Sequence, residues 1–257
     1  MSRAKDKVVI VTGAARNMGF HAAAGLVRRG ARVVIVGRDQ NQLDEAREQL
    51  GGDVLAIAAK VSDPEQVQAV IDRTVSHFGG VDGIVNNAGV AFPNLVEKLK
   101  DDEAMEQVQA NFLASVYTCR AIIPHLRARG GGRIVNVSSA TVHVTGAFSH
   151  LSIYGATKAA LELFTRDLRD EVQKDNIAVT CFIPGDTGTG FGGGWDPAAV
   201  QAAYEHWMEQ GPYWNGLMEV QDVGEEIAHQ FDLPPNMAYE FLMVRPVGLM
   251  PKQLEGQ

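Results

Sequence analysis

Short β-branched runs alternate along this chain with longer stretches in which apolar residues recur every three or four positions. The runs Val8–Val11, Arg32–Val36, Val54–Ala58, Gly83–Val85, Arg133–Val137, Ala178–Phe182 and Phe241–Val244 predict seven strands. The stretches Gly19–Arg29, Asn41–Leu50, Pro64–Phe78, Asp102–Arg129, Ser152–Asp175 and Gln221–Phe231 predict the helices between them. Strand runs this uniformly apolar are buried on both faces, which calls for a parallel sheet covered by helices. The βα alternation then predicts a single doubly wound α/β domain of Rossmann type over residues 1–257, with a seven-stranded parallel sheet. Gly30, just past the first helix, suits the left-handed C′ position.

One stretch breaks the rhythm. Pro184–Gly216 carries GDTGTGFGGGW and then Tyr204, Trp207, Tyr213 and Trp214. A long glycine- and aromatic-rich insertion in a compact domain predicts a substrate lid, here at about 186–216. Its aromatic residues suit an apolar or aromatic substrate, or packing of the lid on itself or on another subunit.

Composition narrows the class. The chain is 46% hydrophobic and 21% charged, as ordinary soluble proteins are. A net charge of −8 argues against nucleic acid as a partner, and any phosphate site must be built locally. Cys119 and Cys181 sit in apolar segments and read as buried free thiols. The polar start MSRAKDK leads straight into a strand, and no apolar run is long enough to span a bilayer. A cytoplasmic location with no membrane partner is expected.

The candidate chemistry begins at TGAARNMG, Thr12–Gly19, between the first strand and first helix. A loop there can aim backbone N–H groups and a helix N-terminus at a pyrophosphate. Gly13 gives the tight turn and Gly19 lets helix and strand approach; Arg16, Asn17 and Met18 complete the loop. Asn17 stands where such loops usually place glycine, and asparagine is among the side chains that best tolerate positive φ. The second strand ends in Gly37-Arg38, where an NAD-preferring fold places an acid for the ribose 2′-hydroxyl. Arg38, aided by Arg16, suits a 2′-phosphate instead, so the cofactor expected is NADP(H).

Further along, Tyr154 and Lys158 share a helix face in SIYGATKAALELF. Ser138 and Ser139 close the strand GRIVNVSS at the sheet edge where α/β proteins bind ligands. Asn111 lies in QVQANFLASVY, read as an ordinary amphipathic helix. With NNAG at Asn86–Gly89 and IPG at Ile183–Gly185, these motifs fall in an order that resembles the short-chain dehydrogenase/reductase family from about Lys7 to Phe182. The ending EFLMVRP is similar to the NADP-dependent hydroxy-acid and aldehyde reductase branch.

The resemblance implies catalytic roles for Asn111, Ser139, Tyr154 and Lys158. Tyr154 would exchange the proton, Lys158 would lower its pKa and bind the nicotinamide ribose, Ser139 would bond the substrate oxygen, and Asn111 would hold a water. It implies cofactor contacts from Asn87, Ala88 and Gly89, from Val61, and from Pro184, Gly185, Thr187 and Thr189. No metal is implied. A homotetramer or homodimer is, built through the helices at Asp102–Arg129 and Ser152–Asp175.

The chain also departs from the family pattern. Ser139 and Tyr154 are 15 positions apart, which enlarges the loop Ala140–Ile153. Thr141 would fit the usual spacing but lies past the strand end. Lys60-Val61-Ser62 replaces a usual aspartate-led triplet at the adenine edge. His143 and His150 are candidate substrate contacts in the enlarged loop. The reading is an NADP-dependent oxidoreductase acting on a ketone, aldehyde or secondary alcohol. The alternatives are a hydroxy-acid dehydrogenase, with Arg245 as carboxylate anchor, and a non-catalytic NADP-binding sensor or scaffold.

Overall fold

The computed structural model describes residues 2–144, 149–190, 192, 195–210 and 216–247. Its strands are β1 (Val8–Thr12), β2 (Arg32–Gly37), β3 (Val54–Ala58), β4 (Gly83–Asn86), β5 (Gly132–Val137), β6 (Ile177–Pro184) and β7 (Phe241–Val244). They form one sheet in the order β3-β2-β1-β4-β5-β6-β7, every pair parallel. After β3 the chain crosses back past β1 to lay down β4. That switch opens a crevice at the C-terminal ends of β1 and β4, where doubly wound sheets bind ligands.

Helices α1 (Asn17–Arg28), α2 (Gln40–Leu50) and α8 (Val220–His229) cover one face. On the other lie α3 (Pro64–Phe78), α5 (Ala114–Ala128) and α6 (Ser152–Val172). The central strands are buried on both sides, as their unbroken apolar runs require. Local signals set several helix ends. Asp39 and Asp63 each accept two backbone N–H groups at the starts of α2 and α3, and Gly30 takes φ 79° after α1.

Two elements differ from the sequence expectation. The stretch expected as one regular helix begins with α4 (Asp101–Val108), passes through a π-turn at Gln109–Leu113 and continues as α5. Asn111 therefore sits in a widened turn rather than an ordinary one. The segment expected only as a lid contains a 14-residue helix, α7 (Pro197–Gln210), started by Asp196, whose carboxylate accepts from the N–H groups of Ala198 and Ala199. Tyr213 and Trp214 lie outside the described residues.

Candidate functional site

The loop after β1 has the shape its composition predicts. Gly13 takes φ 64° and Asn17 φ 55°, so both occupy the left-handed region. A Cβ on Gly19 would run into the Gly13 carbonyl and come 2.6 Å from Asn87 Nδ2. Only a bare glycine lets α1 start this close to the strand.

Asn87 braces this loop. Its Nδ2 donates to the carbonyls of Thr12 (3.0 Å) and Gly13 (3.2 Å). The N–H groups of Asn87 and Ala88 donate to Thr12 Oγ1 at 3.0 and 3.1 Å. Thr12 is thus the peg between β1 and β4, a role the sequence reading did not assign. Its position immediately before the tight-turn glycine was the available signal. Asn17 Oδ1 accepts from the Gly190 N–H at 3.3 Å, tying the loop to the segment after β6.

Arg38 is exposed at the end of β2, and its guanidinium lies 3.2 Å from Glu106 on α4. The adjacent acid, Asp39, is committed to capping α2. Arg16 is exposed at the loop. Val61 is half-buried and packs at the margin of the core beneath the β1 and β2 ends. Beyond β6, Thr187 pairs with Met218 in an isolated bridge and its hydroxyl donates to Gly185 O at 2.8 Å. Arg245 follows β7 beside Gly185 and is exposed.

The second cluster gathers at the ends of β5 and α6. Ser139 comes up to the Tyr154 hydroxyl and acts on it, and Lys158 follows one turn along the same face as Tyr154. Lys158 Nζ donates to Val137 O at 2.8 Å and lies 5.8 Å from the Tyr154 ring centre. Burial pushes the Tyr154 hydroxyl up to about 12, against the opposing bond from Ser139. Burial likewise pushes Lys158 down to about 8. A depressed Tyr154 was expected from the lysine charge. Burial dominates here, with the ammonium engaged by a carbonyl rather than the phenol.

Asn111 is held tightly in its π-turn. Its amide exchanges two 2.8 Å bonds with the backbone of Val90 and donates to Thr157 Oγ1 at 3.1 Å. A Cβ on Gly89 would lie 3.1 Å from Asn111 Oδ1 and 3.5 Å from Lys158 Nζ. The NNAG loop thereby meets the tyrosine helix. Neither loop histidine is a bare substrate contact. His143 pairs with Glu162 at 2.8 Å, and His150 bonds Ser149 at 2.9 Å. Ser138, Thr141 and Ser139 separate by geometry. Ser138 turns inward to Glu162, Thr141 donates its N–H to Ser139 Oγ, and Ser139 meets the tyrosine.

Over Tyr154 lies an apolar cluster of Ala91 and Leu151, packed by Trp195 and Trp207. The two indoles meet edge to face at 6.5 Å, and Trp207 Nε1 donates to Ser149 O at 2.8 Å. Trp195 and Trp207 therefore both contact each other and roof the tyrosine.

The fit to a dinucleotide rests on the glycine cradle. It presents a helix start with backbone that no larger residue could replace, at the crevice of a doubly wound sheet. Such a sheet, with Ser, Tyr and Lys grouped at its strand ends, defines a dinucleotide-dependent oxidoreductase. This chain belongs to the short chain dehydrogenase family, whose profile matches residues 7–198.

It is 30% identical to an uncharacterized oxidoreductase of Staphylococcus aureus (strain USA300) over 94% of this chain and 98% of that one. It is 39% identical to the 11-beta-hydroxysteroid dehydrogenase-like 2 of Arabidopsis thaliana over 70% and 58%. The fold superposes on an alcohol dehydrogenase from the archaeon Thermococcus sibiricus complexed with 5-hydroxy-NADP. There the TM-score is 0.79, with 25% identity over 96% and 99% of the two chains. A putative short-chain alcohol dehydrogenase from Sinorhizobium meliloti 1021 gives a TM-score of 0.82, with 25% identity over 93% and 94%. The family uses nicotinamide cofactors. Among the described residues no helix is long and apolar enough to cross a membrane.

Proposed function

We propose that this protein reduces a ketone or aldehyde, or oxidises the matching secondary alcohol, with NADP(H), and that the substrate is an apolar or aromatic small molecule. The observation that carries this is the Ser139–Tyr154 pair lying beneath Trp195 and Trp207, one turn from Lys158. Gly13, Asn17, Met18 and Gly19 would hold the pyrophosphate. Arg38 and Arg16 would hold the 2′-phosphate, Asn87, Ala88 and Gly89, with Val61, would line the adenosine and ribose side, and Lys158 and Pro184–Thr189 would meet the nicotinamide ribose, carboxamide and phosphates. The bound nicotinamide supplies the hydride chemistry.

The chain's own residues do the rest. Ser139 Oγ and Tyr154 Oη bond the substrate oxygen, and Tyr154 Oη delivers the proton as that oxygen gains charge. A phenol pushed up to about 12 stays protonated near neutrality, which suits it to act as an acid in carbonyl reduction. Lys158 supplies positive charge beneath it, and Trp195 and Trp207 exclude water over Tyr154. Residues 186–216 act as the lid of a single catalytic domain.

A panel of apolar ketones and aldehydes, followed by NADPH absorbance, tests the reading. Turnover by the wild type, lost in Tyr154→Phe while NADPH still binds, is the expected result. Undiminished turnover in Tyr154→Phe sinks the assignment. For the cofactor, Gly37→Asp with Arg38→Leu restores a carboxylate and removes the phosphate donor. It should weaken NADPH by about 1.5–3 kcal/mol and favour NADH. Equal wild-type affinity for both cofactors would count against the NADP reading.

A further inference from the structure

Behind the Ser139–Tyr154–Lys158 group lies a buried carboxylate that the reaction as described leaves unused. Glu162 is 8% exposed and sits one turn beyond Lys158 on α6. Its Oε1 accepts from Ser138 Oγ at 2.6 Å, and its Oε2 lies 2.8 Å from His143 Nε2. Ser138 is the neighbour of Ser139, and its hydroxyl also reaches the Lys158 carbonyl. Val137, one residue earlier, offers the carbonyl that Lys158 Nζ engages. His143 comes from the enlarged loop that separates Ser139 from Tyr154. Glu162 therefore fastens three things together: the end of β5, the loop that follows it, and α6.

A buried carboxylate with two fixed partners is costly to maintain unless its charge is used. We propose that Glu162 is a positioning residue of the catalytic set, acting on Lys158 through its charge and on Ser139 through the strand end that Ser138 and His143 tie to it. This rests on the proposed function only for the role of Lys158 in turnover.

The titratable and charged groups around Glu162 are His143 on the loop, Lys158 on α6 and Cys181 on β6; Tyr154 lies beside Lys158, and Arg169 acts on Cys181. Lys158 is pushed down by burial, and Cys181 and Glu162 oppose that push. The Cys181 thiol is itself pushed up to about 12, so it carries no charge near neutrality. Glu162 is left as the carboxylate whose charge opposes the burial of Lys158.

The test is Glu162→Gln beside Ser138→Ala. Glutamine keeps the volume and an acceptor for Ser138 but removes the charge. The alkaline limb of kcat/KM for carbonyl reduction should then move to lower pH by about one unit. Ser138→Ala keeps the charge, so it should lower kcat and leave that limb in place.

The second readout is the denaturant stability of cofactor-free protein against pH. Lys158 titrates at about 8 when folded and at 10.5 ordinarily, so between those values the unfolded chain binds the extra proton. Its contribution to stability therefore rises with pH across that window. Cys119, Cys181 and Tyr154, each pushed up to about 12, pull the other way at higher pH. The quantity to read is the variant-minus-wild-type difference at lower pH, and it should change between about pH 7 and 8 for Glu162→Gln alone. An unchanged onset in Glu162→Gln, or an equal shift in Ser138→Ala, overturns the proposal. If no carbonyl is turned over, the proposed function fails, and the stability difference still decides the role of Glu162.

Discussion

Asn17 stands where its family commonly spends a glycine, and it keeps the backbone in the left-handed region at φ 55°. Its side chain is also used, as the acceptor for Gly190 N–H. Substitutions should separate the two roles. Asn17→Gly should retain most NADPH affinity, because glycine reaches that backbone freely. Asn17→Ala should lose about 1 kcal/mol to strain. Asn17→Val should be worst, since branching at Cβ makes positive φ a genuine outlier. Calorimetric titration gives the order, and Val binding as well as Gly would exclude a backbone role.

Asp186 offers a second test at this scale. Burial alone pushes its carboxyl up to about 6. A raised carboxyl penalises the folded state above about pH 6 and not below its ordinary 3.8. Asp186→Asn should therefore stabilise the protein at pH 8 and leave it unchanged at pH 3.5. Discounted for partial exposure, the gain is about 1 kcal/mol, read from denaturant midpoints. Tyr154, pushed up to about 12 by burial, gives a third test: the ratio of alcohol oxidation, which needs the phenolate as base, to carbonyl reduction should rise with pH.

Elements explain why some of this was legible and some was not. The strand runs and the Tyr154–Lys158 spacing survive translation into structure because they follow from fixed periods of two and 3.6 residues. The π-turn at Gln109–Leu113 left no such mark, since one widened turn barely disturbs the apolar pattern of the 28 residues from Asp101 to Ala128. Helix α7 was hidden by the glycines before it, which made the whole segment look irregular. Glu162 was hidden for another reason. Its position four after Lys158 is that of an ordinary helical ion-pair neighbour, and only the fold reveals that the site is buried. Helix α7 meets the body through Trp207 Nε1, which donates to Ser149 O, and through His206, whose ring faces His150. Trp207→Phe keeps the ring and removes that donor. It should raise substrate KM several-fold with a smaller change in kcat, and an unchanged KM would show that the indole N–H does not hold the helix.

At the scale of the molecule the sheet has two edges, β3 and β7, and the second exposes Phe241 and Met243. The α6 face exposes Leu163 and α4 exposes Met105. Scattered apolar residues are ordinary on a monomer, but an edge strand bearing two is a place where proteins pair. If subunits associate through α6, Leu163→Arg should lower the assembly state in sedimentation without loss of fold. A wild-type monomer, or an unaltered oligomer in the variant, would rule that interface out.

One further property follows from where the indoles fall. The chain has three tryptophans, and Trp195, Trp207 and Trp214 all lie within 186–216. Indole emission from this protein therefore reports that one segment and nothing else. A reduced nicotinamide bound beneath Trp195 and Trp207 would absorb in the range where they emit. Energy transfer to it would turn unlabelled protein into its own ruler for the distance between cofactor and roof, readable in the time it takes substrate to enter and leave.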